Sequence, residues 1–430
     1  RIAHNPQPAT FANTIVALER AGQLLSRVDT AFGRLNACNT NPQMQEIDTE
    51  MAPKLTAQQD AIHLDAALWA RVAALYEKRA SLHLDPESLQ LLTRYHTEFV
   101  RAGARLTAAE QTRLRVLNTE ISSLTTRFKH NVLKATADGA VAVDDLKDLD
   151  GLAEGQIGAA AQAAAARGLS GKWLIALQNT TNQPVLEQLT NRALRERVYQ
   201  ASIGRAVGGA TDNTVVIAQL VKLRAERAAL LGYANHAAYQ LEDESAGTPA
   251  AVRDMISQVA PAALARARAE AADIQKLIDA QAPVSGTPSF TLQPWDWSFY
   301  AQQVRKARYD FDQASVAPYF ELDHVLLDGV FYAAHQLYGL SFKERRDLPV
   351  YQPDVRVFEV FDADGQPLAL FLADYFARDN KQGGAWMAAY VPQSQLLHHK
   401  PVVANHLNIS KPQASQPVLL SFDEVTAMYH

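Results

Sequence analysis

A histidine on one face of a helix can hold a metal ion through an imidazole nitrogen. Of the twelve histidines here, His430 has the most suggestive setting. It closes the stretch Ser421-Phe-Asp-Glu-Val-Thr-Ala-Met-Tyr-His430. Ser421 followed three residues later by Glu424 is a capping box, in which the serine oxygen takes a backbone N–H of the first turn and the glutamate reaches back to the cap. Asp423 and Glu424 place carboxylates at the positive end of the helix dipole, and Val425, Met428 and Tyr429 supply apolar residues at i, i+3, i+4. An amphipathic helix is predicted from Ser421. No glycine, proline or basic last turn stops it, so the sequence is expected to end in mid-helix.

The other residues able to do chemistry have plainer settings. His324 and His335 lie eleven apart on one predicted helix with no carboxylate to complete a metal set, so they are expected to pack or hydrogen-bond within a helical core. His398 and His399 are adjacent on an extended segment and point to opposite sides, which marks them as surface residues. Cys38 is the single cysteine; with no disulfide partner and no second ligand nearby in sequence, it is read as a small buried apolar residue. Arg195, Arg197, Arg205, Lys222, Arg224 and Arg227 are either an anion site or the solvated faces of two helices paired with Glu187 and Glu226. The second is expected. In Gly383-Gly-Ala-Trp-Met387, two glycines let a backbone approach a ligand closely and small Ala385 leaves a strand edge unobstructed; the alternative is a turn leading into a buried strand.

Six segments bind these observations together: Pro294-Trp-Asp-Trp297, Ala317-Pro-Tyr-Phe-Glu321, Val350-Tyr-Gln-Pro-Asp-Val-Arg356, Phe376-Ala-Arg-Asp379, Gly383-Gly-Ala-Trp-Met387 and Leu419-Leu-Ser-Phe-Asp-Glu-Val425. In order and spacing the region from about 290 to 430 resembles the M3 family of zinc metallopeptidases. The resemblance implies that His430 is a metal ligand, the first histidine of a His-Glu-x-x-His motif. In that motif two histidines four apart bind one Zn²⁺ and the glutamate between them acts as general base toward the metal-bound water. The glutamate, the second histidine and the family's third ligand lie beyond residue 430, so no catalytic residue is expected within this sequence and the 430 residues alone should be inactive. The resemblance also places Gly383, Gly384, Ala385 and Trp386 at the substrate channel as substrate-binding residues. The segments from 349 to 390 look closer to the dipeptide-releasing exopeptidase branch than to the oligopeptidases. The implied activity is release of C-terminal dipeptides from short unfolded peptides, with an endo-oligopeptidase as the alternative and a non-catalytic helical scaffold as a further one.

The elements that must position these residues are mostly helical. Residues 8–150 read as successive amphipathic helices: Leu68, Val72 and Leu75 form one stripe, Asp85-Pro-Glu87 is a cap with a first-turn proline, and a long helix from Thr107 to about Leu133 carries Leu114, Leu117, Ile121 and Leu124. Residues 138–155 read as an acidic loop. Further helices follow at Pro184 to Ala201, Asn213 to Leu231, Thr248 to Ala282 and Glu321 to Tyr338, with a short strand at Trp173 to Leu177 between the loop and them. The stretch Ala282-Pro-Val-Ser-Gly-Thr-Pro288 reads as a linker. It divides helical lobes over 1–285 from the first part of a catalytic region over 286–430. The β signal concentrates between about Arg356 and Ile409, where Val355 to Phe361 and Leu368 to Asp374 flank an Asp-Gly turn and Trp386 to Val391 and Pro401 to Ile409 follow as third and fourth strands. The expected fold is mainly α, and the resemblance adds a two-lobed ellipsoid with a deep central channel and a small sheet beside the zinc helix.

Composition bounds the rest. A hydrophobic content of 48% with 20% charged residues is that of a globular protein, and a formal net charge of −5 offers no basic stripe for nucleic acid. The alanine run 159–166 is too short to span a bilayer, so no membrane partner is expected. The expected state is a monomer. The expected compartment is the cytoplasm, or the periplasm if a leader has been removed ahead of Arg1.

Overall fold

The structure is a computed structural model that describes residues 1–177, 183–285, 288–309, 313–412 and 416–430. The middle of the expected linker, residues 286–287, lies outside the described residues. The chain divides into two compact units, each assembled from three stretches. The first holds Arg1–Phe32, Asn41–Asn131 and Asp212–Ile256; the second holds Gly33–Thr40, Val132–Thr211 and Ser257–His430. Helices dominate the described residues.

The first unit has no strand among its described residues. Its helices start where the sequence signals them: Asp65 accepts the Leu68 N–H at 2.8 Å, and Asp85, ahead of Pro86, accepts the Ser88 N–H at 3.0 Å. The expected stripe Leu68, Val72 and Leu75 is buried with Ile15, Leu92 and Phe99, and Trp69 stacks on Phe99 at 6.2 Å. Ile121 packs with Val216 and Leu220 in a second cluster.

All strands belong to the second unit. β1 (Val141–Val143) and β2 (Trp173–Ile175) form an antiparallel pair whose inner side joins Leu149, Leu186, Leu194 and Val198. β2 was expected. β1 falls in the stretch read as a loop, because three residues between Gly139 and an acidic turn are too few to show a period.

The main sheet contains β3 (Ser341–Glu344), β4 (Arg356–Phe361), β5 (Pro367–Phe376), β6 (Trp386–Val391) and β7 (Val402–Ile409), in the order β3-β4-β5-β7-β6. Only the β5–β7 pairing is parallel. The hairpin between β4 and β5 closes through Asp362, whose carbonyl accepts the Gly365 N–H at 2.9 Å. β3 escaped the sequence reading because Ser-Phe-Lys-Glu has a single large apolar side chain.

Alternation along the strands gives the sheet two unlike faces. Ala373 and Tyr375 of β5 with Leu407 and Ile409 of β7 join Leu322, Val325, Leu326, Phe331, Leu420 and Met428 in one apolar core. Asp374, His406 and Asn408 have the opposite parity. The apolar face is covered by the predicted helix before the sheet, which begins as π-type turns over His324–Val330 and continues as an α-helix over Phe331–Tyr338. It is also covered by the terminal helix Phe422–Tyr429. Gly329 lets the Tyr429 side chain lie close against that helix, where a methyl group would make the exposed tyrosine ring swing aside.

Candidate functional site

The terminal helix forms as its sequence dictates. Ser421 Oγ accepts the Glu424 N–H at 3.2 Å, while Glu424 Oε2 takes the Ser421 N–H at 2.8 Å. Buried Met428 anchors the helix on the apolar core, and Leu420 N–H donates to Phe320 O at 2.8 Å just ahead of the cap. His430 follows the last helical residue, donates its backbone N–H to Thr426 O at 3.0 Å, and is exposed. Its ring nitrogens make no hydrogen bond to any described residue. No group of three or more potential metal ligands among the described residues includes His430. The one group of three or more potential ligands among them is elsewhere: Cys38, Asp374 and His406, whose ligand atoms lie within 4.8 Å of one another.

That group is built for a different purpose. Asp374 accepts from Arg378 Nη1 at 2.7 Å, Arg378 Nη2 at 2.9 Å, Lys381 Nζ at 2.9 Å, Tyr351 Oη at 2.7 Å and His406 Nδ1 at 3.1 Å. Both Asp374 and His406 are buried. Burial alone would raise the Asp374 pKa, but the bonds from His406, Arg378 and Lys381 outweigh it and hold the carboxyl far below its ordinary range. With Arg378 and Lys381 already balancing one carboxylate, a divalent cation would meet two positive neighbours. Burial also raises the pKa of the Cys38 thiol, which lies 3.6 Å from Tyr390 Oη. Cys38 is thus a buried residue, as expected, and its neighbours are polar.

Lys381 ties this group to the glycine segment. Its ammonium is fully buried and donates within the sheet to Asp374 O at 2.7 Å, Phe376 O at 3.0 Å and Leu407 O at 2.6 Å, besides the Asp374 carboxylate. Desolvation lowers its pKa to about 8, with the Asp374 charge acting in opposition. Immediately downstream, residues 383–386 lead into β6, which lies at the end of the sheet and pairs with β7 and no other described strand. Gly384 has φ +89°, a conformation that favours glycine. Ala385 and Met387 are exposed, and Trp386 is half-buried with its indole stacked on His406 at 4.6 Å. Asp374, His406 and Trp386 occupy one register row across β5, β7 and β6.

The remaining candidates are accounted for by neighbours. His324 Nδ1 meets its own helix at Asp328, 2.8 Å away, and His335 Nδ1 meets Leu340 O at 3.0 Å; both are exposed rather than inside a core. His398 is exposed in a turn. The basic cluster divides: Arg195, Arg197 and Arg205 belong to the second unit, and Lys222, Arg224 and Arg227 to the first. Arg195 departs from the solvated reading. It is 1% exposed and with Arg192 grips the fully buried Asp296 of the Pro-Trp-Asp-Trp segment, at 3.0 and 2.9 Å.

Sequence reasoning passed over Asp374, Lys381, His406 and Asn408. The available signal was a carboxylate within the otherwise apolar run of β5, since a buried strand carrying one must pair it.

Known proteins resemble this chain along its whole length. The family model of Peptidase family M3 matches residues 185–430. Over all 430 residues the chain is 46% identical to a dipeptidyl carboxypeptidase of Escherichia coli strain K12 and 44% identical to one of Salmonella typhimurium, covering 62% of each. It is 29% identical over its whole length to oligopeptidase A of Escherichia coli, covering 63% of that protein. The chain therefore spans about three fifths of the length of these relatives.

Proposed function

This chain belongs to peptidase family M3, and we propose that the intact protein is a zinc-dependent peptidase that releases dipeptides from the C-terminus of short unfolded peptides. The observation that carries the reading is the whole-chain identity of 46% and 44% to two dipeptidyl carboxypeptidases, against 29% to oligopeptidase A. The exopeptidase is favoured over the oligopeptidase on that difference.

On this reading His430 contributes one imidazole to the metal, and the other ligands and the general base come from residues outside these 430. A bound zinc ion supplies Lewis acidity and a water made nucleophilic near neutral pH. What this chain supplies is position. The apolar core under Met428 and Leu420 fixes the terminal helix, and the sheet edge that begins at residues 383–386 accepts an extended peptide by strand addition, through main-chain hydrogen bonds that ignore side-chain identity. Such binding selects unfolded peptides because a folded chain has already paired its backbone.

The experiment uses the intact protein: zinc analysis, then cleavage of one peptide with a free C-terminus and the same peptide amidated. Dipeptide release from the first alone is expected; equal cleavage of both points to the oligopeptidase. His430→Ala should lower zinc occupancy and reduce turnover by at least about 100-fold, with circular dichroism unchanged. Full zinc and normal cleavage in that variant would remove His430 from the site.

A further inference from the structure

Strand addition requires that the accepting edge keep one backbone path when no peptide is present; otherwise the cost of ordering it is taken from affinity. The residues on either side of Gly383 are held from β7. Asn408 Nδ2 donates to Gln382 O at 2.9 Å and to Gly384 O at 2.7 Å, bridging the first glycine from both sides. Its Oδ1 has no partner among the described residues. Two residues earlier on the same strand face, His406 stacks beneath Trp386, and its Nδ1 is fixed by Asp374. A third attachment is Gln382 N–H to Ala37 O at 2.8 Å.

We propose that Asn408, with His406 beside it on β7, is a positioning clamp that presets the backbone of residues 382–386 to receive a peptide main chain. This rests on the reading of that segment as the substrate edge. Neither residue needs to touch substrate. Asn408 is half-buried, so its side chain can be changed without opening a core. An ordinary structural asparagine would stabilise the fold and leave peptide affinity alone, whereas a clamp shifts affinity as well.

The test measures binding of a ten-residue oligopeptide to metal-stripped intact protein by calorimetry, so that it does not depend on turnover. Asn408→Asp is nearly isosteric but turns an acceptor toward two carbonyl oxygens. It should weaken binding about tenfold or more, the equivalent of ordering about one residue's backbone on binding. Asn408→Ser, a smaller side chain retaining one donor, should fall between the variant and the parent, and it serves if the aspartate variant does not fold. Melting temperature is read in parallel. Unchanged affinity, whatever the melting temperature does, or no peptide binding by the parent, would overturn the clamp. Peptide bound and weakened as described, but cleaved by neither parent nor variant with zinc restored, would leave the clamp standing and sink the peptidase reading.

Discussion

At the scale of single residues, Lys381 shows how a conspicuous side chain can be silent in sequence. A lysine in a loop after Ala-Arg-Asp-Asn reads as a solvated charge, yet it is enclosed by two strands' carbonyls and the Asp374 carboxylate. Its proton is held less tightly than usual, with a pKa of about 8 against the ordinary 10.5, because burial outweighs the attraction of Asp374. Between these values the unfolded chain binds a proton that the native state has lost, so this group makes stability rise with pH. Tyr351, Tyr390 and Cys38 beside it have raised pKa values and act in the opposite sense at high pH. The contribution must therefore be read as a difference. Urea unfolding of the parent minus that of Lys381→Met, from pH 7 to 10.5, should show the parent gaining up to about 3 kcal/mol relative to the variant. A flat or falling difference would mean that the buried ammonium carries no desolvation cost.

At the scale of elements, legibility followed the strength of local signals. The capping box at Ser421, the Asp-Gly turn before β5 and the Asp85–Pro86 start each use one short motif whose chemistry closes locally, and each forms as read. β1 and β3 did not reveal themselves, since a strand of three or four residues is made by its partner more than by its own pattern. The edge position of β6 depends on the parallel β5–β7 pairing, a topological fact that no local period encodes. The cap gives the direct test. Ser421→Ala should cost the terminal helix about 1 kcal/mol, and amide hydrogen exchange at Val425 to Tyr429 should quicken several-fold while β5 and β7 are unaffected. Unaltered exchange would show that Met428 packing alone holds the helix.

At the scale of the whole molecule, the predominance of helix and the small sheet were legible, whereas the way the chain contributes to its two units was not. The eight residues Gly33–Thr40 belong to the second unit although the stretches on either side belong to the first. They are held there by Arg378 Nη2 to Cys38 O at 2.7 Å, Thr40 N–H to Asn380 O at 3.0 Å and a few similar bonds. Each such bond returns only about 1 kcal/mol, so the segment depends on the folded chain at both of its ends. If the first unit unfolds, this segment becomes a loop tethered to disordered chain and should detach, uncovering the buried Asp374 group. The two units are thus expected to unfold together despite having separate cores. Tryptophan fluorescence can decide, because Trp69 is the one tryptophan in the first unit and the other four lie in the second. The signal lost on Trp69→Phe reports the first unit, and the signal remaining in that variant reports the second. Their urea midpoints should coincide; two midpoints separated by more than the error of the fits would show that the eight-residue segment stays in place without the unit around it.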